Sequence, residues 1–301
     1  MAGEDVMVLQ RAFVWSVLPV VCIASLNGVG KRARTLLWIH IFIVLSLAMA
    51  YAYARVTYGR NLADPPIDAL AAIGGERVFD HRGCRVLCYE PRKPAVRRLL
   101  VFPGLRVGVR RMMLEPCMAM FLEDSQIVCF QVQGIGDSDR MVDLSSSSML
   151  DDALGMLPLF DELTDTRLPS EFVGYSLGTF VCMQLLANAW RVPSVREPRR
   201  AILVGAMFDG ALLPADFKVL SLALEISNES LVSASRVPLY IIHARDDKLI
   251  PVDEAMQLYA ACQRVRRRAE IVVCEGSHGA YRLDARTKVA LARGEGDGSA
   301  V

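Results

Sequence analysis

A serine flanked by two glycines constrains the fold of this chain more than any other feature of its sequence. Residues 171–175 are typical of a short strand, residues 174–178 read Gly-Tyr-Ser-Leu-Gly, and an apolar helix pattern follows directly. A serine in so tight a strand-to-helix turn adopts strained backbone angles, and its hydroxyl stands clear of the sheet. Side chains two positions before and after it would collide, so glycine is required at both. The pattern predicts a sharp turn at Ser176 and a helix that begins at Leu177.

Strand and helix patterns alternate around this turn. Several strand candidates are continuous apolar runs, as at residues 99–102 and 201–204, which is typical of parallel strands covered on both faces. The predicted strands are 76–81, 85–90, 98–102, 126–131, 171–175, 201–206, 238–243 and 269–274. The predicted helices are 108–122, 147–164, 177–190, 252–265 and 279–292. The fold class is therefore α/β, with a mostly parallel eight-stranded sheet and helices on both faces.

Two uncharged apolar runs precede the alternation and account for an unusually high hydrophobicity. Hydrophobic residues make up 53% of the chain, and the mean hydropathy is +0.31. The runs cover residues 12–30 and 35–54, and each is about long enough to cross a bilayer as a helix. We therefore expect residues 1–55 to be a membrane anchor with one or two transmembrane helices, followed by a linker over 56–75.

The charges around these runs indicate an orientation. Lys31, Arg32 and Arg34 lie between the two runs, and the positive-inside tendency places them in the cytosol. If both runs span the membrane, or only the second, the rest of the chain lies on the lumenal or exoplasmic side. If only the first spans, the rest is cytosolic. The sequon at residues 228–230 agrees with the lumenal side, which is the predicted location.

An acidic loop and a histidine follow two later strand candidates. Asp246 and Asp247 come after the strand 238–243, and His278 comes after the strand 269–274. Ligands of an open parallel sheet meet the carboxyl ends of its strands. An imidazole there can take the proton of a serine hydroxyl, and a carboxylate can orient the imidazole and stabilise its charged form. The order serine, aspartate, histidine along the chain therefore predicts nucleophilic chemistry.

These motifs resemble the α/β-hydrolase superfamily of serine hydrolases over residues 76–292. The acid loop of that family commonly reads G-x-x-D-x-x-V-P, and residues 244–251 align with it in the register that selects Asp247. The resemblance implies a triad of Ser176, Asp247 and His278, with no cofactor and no metal. Asp209 is the alternative acid. His243 is the alternative base, although a supporting role suits its position before the acid better.

The resemblance also implies two backbone donors for an oxyanion. One is the N–H of Leu177, and the other is the N–H of Leu105 in the loop after strand 98–102. Relatives often read H-G-x in that loop, whereas this chain has Pro103. The donor is the residue after the glycine, so Leu105 can still serve. The turn around the nucleophile consists of Gly174, Tyr175 and Gly178.

The cap that this family inserts after its sixth strand can be formed only by residues 207–236, which separate the strand candidates 201–206 and 238–243. The insert is short, so we expect an open site in a catalytic domain over residues 76–293. Its apolar side chains either pack as a buried helix or form a wall for an acyl chain. The candidate pocket residues are Phe217, Leu220 and Leu224. The tail, residues 294–301, is expected to be disordered.

An anchor combined with a short cap suggests a substrate at the bilayer surface. The chain resembles membrane-anchored α/β-hydrolase-domain esterases and thioesterases, which implies cleavage of a carboxylic ester or thioester of a fatty-acyl lipid or an acylated protein. A serine peptidase of the aminopeptidase type and a non-catalytic hydrolase-fold membrane protein are the alternatives. The net charge of +1 gives no argument for nucleic-acid binding. The eight cysteines are scattered, and we expect buried thiols without metal-type spacing.

Overall fold

The computed structural model describes residues 73–105, 107–132, 146–192, 196–214 and 225–293, and residues 38, 40, 70 and 218 singly. The chain divides into two units, Met1–Thr57 and Tyr58–Val301, and almost all described residues belong to the second. No helix among them is both long and apolar enough to span a bilayer. Apart from residues 38 and 40, the candidate spans lie outside the described residues, as do most of the linker and the tail, so those assignments stay predictions.

One eight-stranded sheet organises the second unit. Its strands are β1 Gly74–His81, β2 Cys84–Pro91, β3 Arg97–Phe102, β4 Ser125–Gln131, β5 Ser170–Tyr175, β6 Arg200–Val204, β7 Leu239–Ala244 and β8 Ala269–Cys274. Their order across the sheet is β1-β2-β4-β3-β5-β6-β7-β8. Strand β2 runs antiparallel to β1 and β4, and every other neighbouring pair is parallel. The eight predicted strands are confirmed.

Helices cover the two faces of this sheet. They are α1 Val109–Met113, α2 Pro116–Ala119, α3 Ser146–Leu163, α4 Leu177–Asn188, α5 Glu229–Val232, α6 Val252–Arg264 and α7 Ala285–Arg293, and a 3-10 turn, Ala189–Arg191, follows α4. Helices α3, α4 and α6 pack into one apolar core, and α1, α2 and α7 pack into another. The described chain is thus a helix–sheet–helix sandwich, as the sequence predicts.

Strand β3 shows why both faces need covering. Leu99 and Val101 belong to one core, whereas Leu100 and Phe102 belong to the other. Successive side chains of a strand point to opposite faces, so a continuous apolar run is stable only when both faces are buried. All six residues of β3 are buried.

The helix predicted over residues 108–122 is wrong as a single element. The structure has two short helices there, α1 and α2, and Pro116 is the first residue of the second. Proline has no N–H to continue a preceding helix, and it disfavours the helical conformation in the residue before it. Glu115 is accordingly extended, with ψ of 140°.

The helix predicted over residues 279–292 begins too early. In the structure α7 starts at Ala285, because the residues before it make other contacts. Arg282 pairs with Glu275 in an antiparallel bridge. The carboxylate of Asp284 then accepts the N–H of Thr287 at 2.6 Å, which satisfies a free donor in the first turn of the helix.

The asparagine of the sequon is buried. Asn228 has no exposed surface, and its side-chain amide donates a hydrogen bond to the carbonyl of Met207 at 2.6 Å. A side chain engaged in this way is not accessible for glycosylation while the chain is folded. The sequon therefore gives no support to the predicted lumenal location.

The cysteines of the described chain behave as small apolar residues. Those seven are Cys84, Cys88, Cys117, Cys129, Cys182, Cys262 and Cys274, and all are buried without forming a disulfide. The prediction of buried thiols is confirmed for them. Cys22 lies outside the described residues.

Candidate active site

Ser176 occupies the tight turn between β5 and α4. Its φ and ψ are 54° and −120°, a conformation that is rare and strained for a residue with a side chain. Hydrogen bonds hold it on both sides. The Ser176 N–H donates to the carbonyl of Val204 at 2.8 Å, and the Ser176 carbonyl accepts the N–H of Thr179 at 2.9 Å. The serine side chain is half-buried at the carboxyl edge of the sheet.

The two flanking glycines are required by close backbone contacts. A Cβ on Gly174 would lie 2.6 Å from the carbonyl oxygen of Gly178, and a Cβ on Gly178 would lie 2.0 Å from that of Phe102. Side-chain atoms do not approach backbone oxygens so closely. The steric reason for the Gly-x-Ser-x-Gly spacing is therefore confirmed at both positions.

The loop after β3 runs beside this turn. A Cβ on Gly104 would lie 3.1 Å from the Cβ of Ser176, so the backbone directly before Leu105 passes beside the serine. Leu177 is the first residue of α4. Within the described part of the chain, neither the Leu105 nor the Leu177 N–H donates a hydrogen bond to another backbone group. Two such N–H groups beside a serine hydroxyl are suited to receive negative charge on a carbonyl oxygen.

Asp247 and His278 form a hydrogen-bonded pair. Oδ2 of Asp247 lies 2.8 Å from Nδ1 of His278. Its other oxygen accepts the backbone N–H groups of Leu249 and Ile250, both at 2.9 Å. Because Nδ1–H faces the carboxylate, Nε2 is the nitrogen left for proton transfer.

The charge of Asp247 is well supported although the side chain is buried. Burial raises the pKa of this carboxyl group. The hydrogen bond with His278, the charge of His278 and the N–H of Ile250 together lower the pKa by more than burial raises it. The net effect holds the pKa below its ordinary value. Asp247 is therefore ionised at neutral pH and able to stabilise an imidazolium.

The imidazole lies at the same edge of the sheet as Ser176. A Cβ on Gly205 would be 3.4 Å from Cε1 of His278, and Gly205 directly follows Val204, which binds the Ser176 N–H. The His278 ring is also 5.8 Å from the ring of Tyr175. No hydrogen bond joins the Ser176 hydroxyl to His278 among the described residues. Catalytic hydrogen bonds of this kind are often long before a substrate binds.

The alternative acid and base have other contacts. Asp209 is exposed, and its carboxylate accepts the N–H of Ala211 at 2.8 Å. His243 is fully buried, with Nε2 2.8 Å from the carbonyl oxygen of Ile250 and 3.7 Å from Oδ2 of Asp247. Burial lowers the pKa of His243 below its ordinary value. This neutral ring supports the acid loop, while the geometry favours Asp247 and His278 as acid and base.

A second buried carboxylate at this edge was not predicted from the sequence. Glu254 lies in the first turn of α6, is fully buried, and accepts four backbone N–H groups from the loop after β6. Its donors are Phe208, Asp209, Gly210 and Leu212, at 2.7, 3.3, 3.2 and 2.9 Å. An acidic residue in the first turn of a helix is common, so nothing in the sequence pattern indicated this contact. Glu254 fixes the first residues of the predicted cap, directly after β6.

The described surroundings of the site include one small apolar cavity. It is lined by Phe102, Pro103, Phe130, Gln131, Val132, Leu177 and Val181, so it lies next to both the loop after β3 and the first turn of α4. The candidate pocket residues Phe217, Leu220 and Leu224 lie outside the described residues. The described part of the chain contains no group of three or more His, Cys, Asp or Glu side chains placed to hold a metal ion.

Comparison with known proteins gives matches of structure only. No protein-family model and no curated protein matches the sequence. An esterase from Pyrococcus furiosus is 16% identical, with a TM-score of 0.56 over 77% of this chain and 94% of that chain. The thioesterase domain from the curacin biosynthetic pathway is 15% identical, with a TM-score of 0.50 over 73% and 98%. An acylaminoacyl peptidase from Pyrococcus horikoshii is 13% identical, with a TM-score of 0.50 over 71% and 40%.

This chain has the α/β-hydrolase fold. In that fold the nucleophilic serine sits on a strained strand-to-helix turn at the top of the sheet, and the acid and histidine follow it along the chain. Ser176, Asp247 and His278 have those places, after β5, β7 and β8. The predicted α/β fold with a mostly parallel eight-stranded sheet is thereby confirmed.

Proposed function

We propose that this protein is a serine hydrolase that cleaves a carboxylic ester or thioester through an acyl-enzyme. One observation carries the proposal: the 2.8 Å Asp247–His278 hydrogen bond lies at the sheet edge where Ser176 is held in its strained turn. Strain of this kind persists only where surrounding structure enforces it, and it is concentrated at functional sites. The esterase and thioesterase among the structures of the same fold agree with this chemistry.

In the first half of the reaction, the Ser176 hydroxyl attacks the substrate carbonyl. Nε2 of His278 takes the hydroxyl proton, and Asp247 stabilises the imidazolium that forms. The carbonyl electrons move onto oxygen, where the N–H groups of Leu105 and Leu177 receive the negative charge. When the tetrahedral intermediate collapses, the bond to the leaving group breaks. His278 then returns its proton to the departing alcohol or thiol.

In the second half, water takes the place of the serine hydroxyl. His278 removes a proton from water, the resulting hydroxide attacks the acyl-enzyme, and the bond between Ser176 and the acyl group breaks. The proton returns to the serine, so the enzyme is regenerated with all three groups in their starting states. The products are a carboxylic acid and an alcohol or thiol.

We propose a fatty-acyl lipid or an acylated protein as the substrate. The support is the apolar runs at residues 12–30 and 35–54, which have the length of membrane helices, and the apolar cavity next to Leu177. An anchor of this kind holds the domain at a bilayer surface, on the lumenal or exoplasmic side. Protease digestion of sealed vesicles tests the location, because digestion from the cytosolic side must leave a lumenal domain intact.

A serine peptidase is the second candidate, since an acylaminoacyl peptidase has the same fold. Matched p-nitrophenyl acyl esters, acyl thioesters and aminoacyl anilides separate the candidates in one panel. The proposal predicts turnover of the ester and thioester that is lost in Ser176→Ala. Turnover of the anilide alone identifies a peptidase. A folded protein that cleaves none of the three supports a non-catalytic role.

A further inference from the structure

The hydroxyl of Tyr281 is an unexplained polar group at the active-site edge. Tyr281 lies in the segment between His278 and α7, is 3% exposed, and its hydroxyl has no hydrogen-bond partner among the described residues. Nearly all buried side-chain polar atoms in folded proteins are hydrogen-bonded, because an unpaired one destabilises the fold. A hydroxyl retained in such a place calls for a role other than stability.

The hydroxyl faces the space that Gly205 leaves open. A Cβ on Gly205 would lie 2.5 Å from the Tyr281 hydroxyl oxygen and 3.4 Å from Cε1 of His278. Gly205 has φ of +63°, and its N–H is fixed to the carbonyl of Ile242 at 2.9 Å. Because Gly205 has no side chain, the phenol oxygen of Tyr281 and the Cε1 edge of the His278 imidazole border the same small space.

The rings of Tyr281, His278 and Tyr175 pack against one another. The Tyr281 ring centroid is 6.4 Å from that of His278, at an interplanar angle of 63°. The Tyr175 ring is 6.0 Å from Tyr281 and 5.8 Å from His278. These are separations at which rings prefer edge-to-face contact. Asp247 fixes the Nδ1 atom of the imidazole, and the two phenol rings restrict the plane of its ring.

We propose that Tyr281 is a positioning residue for His278: its ring fixes the imidazole plane, and its hydroxyl oxygen accepts the polarised Cε1–H of the imidazolium formed during the reaction. The inference rests on the proposed function, in which His278 is the base. Burial, followed by the proximity of Tyr175, raises the pKa of Tyr281. The phenol therefore stays neutral, and its oxygen lone pairs can face the charged ring.

The test compares Tyr281→Phe with Tyr89→Phe. The second variant removes a buried hydroxyl that does have a hydrogen-bond partner. The buried Tyr89 hydroxyl lies away from the site and donates to the carbonyl of Leu122 at 2.8 Å. We expect Tyr89→Phe to lower Tm by a few degrees without changing ester hydrolysis. We expect Tyr281→Phe to keep or raise Tm. It should lower kcat about two- to fivefold at unchanged KM. It should also move the acid limb of the pH profile of kcat/KM to lower pH. Tyr281→Leu, which also removes the ring, should lower kcat further.

Wild-type kcat and pH profile in Tyr281→Phe would overturn the role of the hydroxyl, and so would a fall in Tm equal to that of Tyr89→Phe. A second measurement does not depend on turnover. The chain has four histidines, so His278→Ala assigns the His278 Cε1–H signal by NMR. That proton signal should shift in Tyr281→Phe. An unchanged signal rejects the inference, whereas a shifted signal in a protein that cleaves no ester or thioester rejects the proposed hydrolase alone.

Discussion

The two ends of the β-sheet both bury charged groups, but they neutralise them in different ways. At the amino end, guanidinium groups meet carboxylates of fixed charge. Arg200 lies 2.9 Å from Glu171, which also pairs with Arg97 at 3.8 Å. Arg98 pairs with Asp161 and stacks over the ring of Phe160 at 4.7 Å.

At the carboxyl end, the described residues include a pair of the buried Glu115 with Arg111 at 3.6 Å, but this arginine is half-exposed. Glu254 is held by four backbone N–H groups, and Asp247 by two N–H groups and the imidazole of His278. Backbone donors support a negative charge without introducing a permanent positive one. The imidazole can therefore gain and lose a proton there. We therefore expect the ion pairs of the amino end to contribute to stability and the Asp247–His278 pair of the carboxyl end to contribute to reactivity.

The largest expected effect is on activity at the carboxyl end. Replacing His278 by alanine removes the proton acceptor of the proposed mechanism, so kcat should fall by roughly 10⁴–10⁶-fold. The His278 side chain is 19% exposed, so Tm should change by only a few degrees. Ester hydrolysis and a thermal melt measure both quantities. A variant that keeps more than a tenth of wild-type kcat is incompatible with this role.

The amino end should show the reverse pattern. Glu171→Gln removes the carboxylate that pairs with Arg200, whereas Arg97 keeps its pair with Asp124 at 3.2 Å. Because the buried Arg200 guanidinium loses this counter-charge, the free energy of unfolding should fall by about 3–5 kcal/mol. The kcat per folded molecule should not change. Urea unfolding and active-site titration provide the two readings. Lys93→Ala is the matched control, because its pair with Glu123 is exposed and should contribute nothing measurable.

Glu254 tests whether the carboxyl end also has purely structural groups. In Glu254→Gln the charge is lost and one acceptor oxygen becomes a donor, so some of the four N–H groups lose their partner. The free energy of unfolding should fall by about 1–3 kcal/mol. We also expect a several-fold rise in KM, since the loop after β6 leads into the cap. A change in kcat alone would place Glu254 in the chemistry rather than in the loop.

The smallest expected effect is a dependence of stability on pH. Burial lowers the pKa of His243 from its ordinary value of 6.5, so below that pH the unfolded chain binds a proton that the native chain excludes. Stability should therefore fall as the pH drops from 6.5 through the folded pKa, with a slope of up to about 1.4 kcal/mol per pH unit. The pKa of Asp247 lies below 3.8 when folded, which adds a second loss below that pH. Urea melts from pH 7.5 to 3 measure both, and His243→Asn should abolish the first.

The sheet was predictable because its signals are local. Apolar runs such as residues 99–102 mark buried strands without knowledge of their neighbours. The position of β4 between β2 and β3 could not be predicted from any single apolar run, because strand order depends on contacts between distant segments. The errors in two helices are also local, since Pro116 and the bridge at Arg282 override an apolar pattern that continues through them.

The candidate site was predictable only where a motif carries it. Ser176, Asp247 and His278 stand in short sequence patterns whose spacing is imposed by turns at the ends of strands. Glu254 and Tyr281 have no such pattern. The loop that binds Glu254 and the space beside Gly205 are distant in sequence from the side chains that fill them. The fold alone brings them together.

Reaction with a fluorophosphonate probe, followed by peptide mapping, tests directly whether Ser176 is an activated nucleophile. Such probes modify a serine hydroxyl only when a neighbouring base activates it. Native protein should be labelled at Ser176, labelling should fall sharply in His278→Ala, and none should remain in Ser176→Ala. Labelling that persists in Ser176→Ala, or native wild-type protein that takes up no probe, would contradict the assignment of Ser176 as the nucleophile.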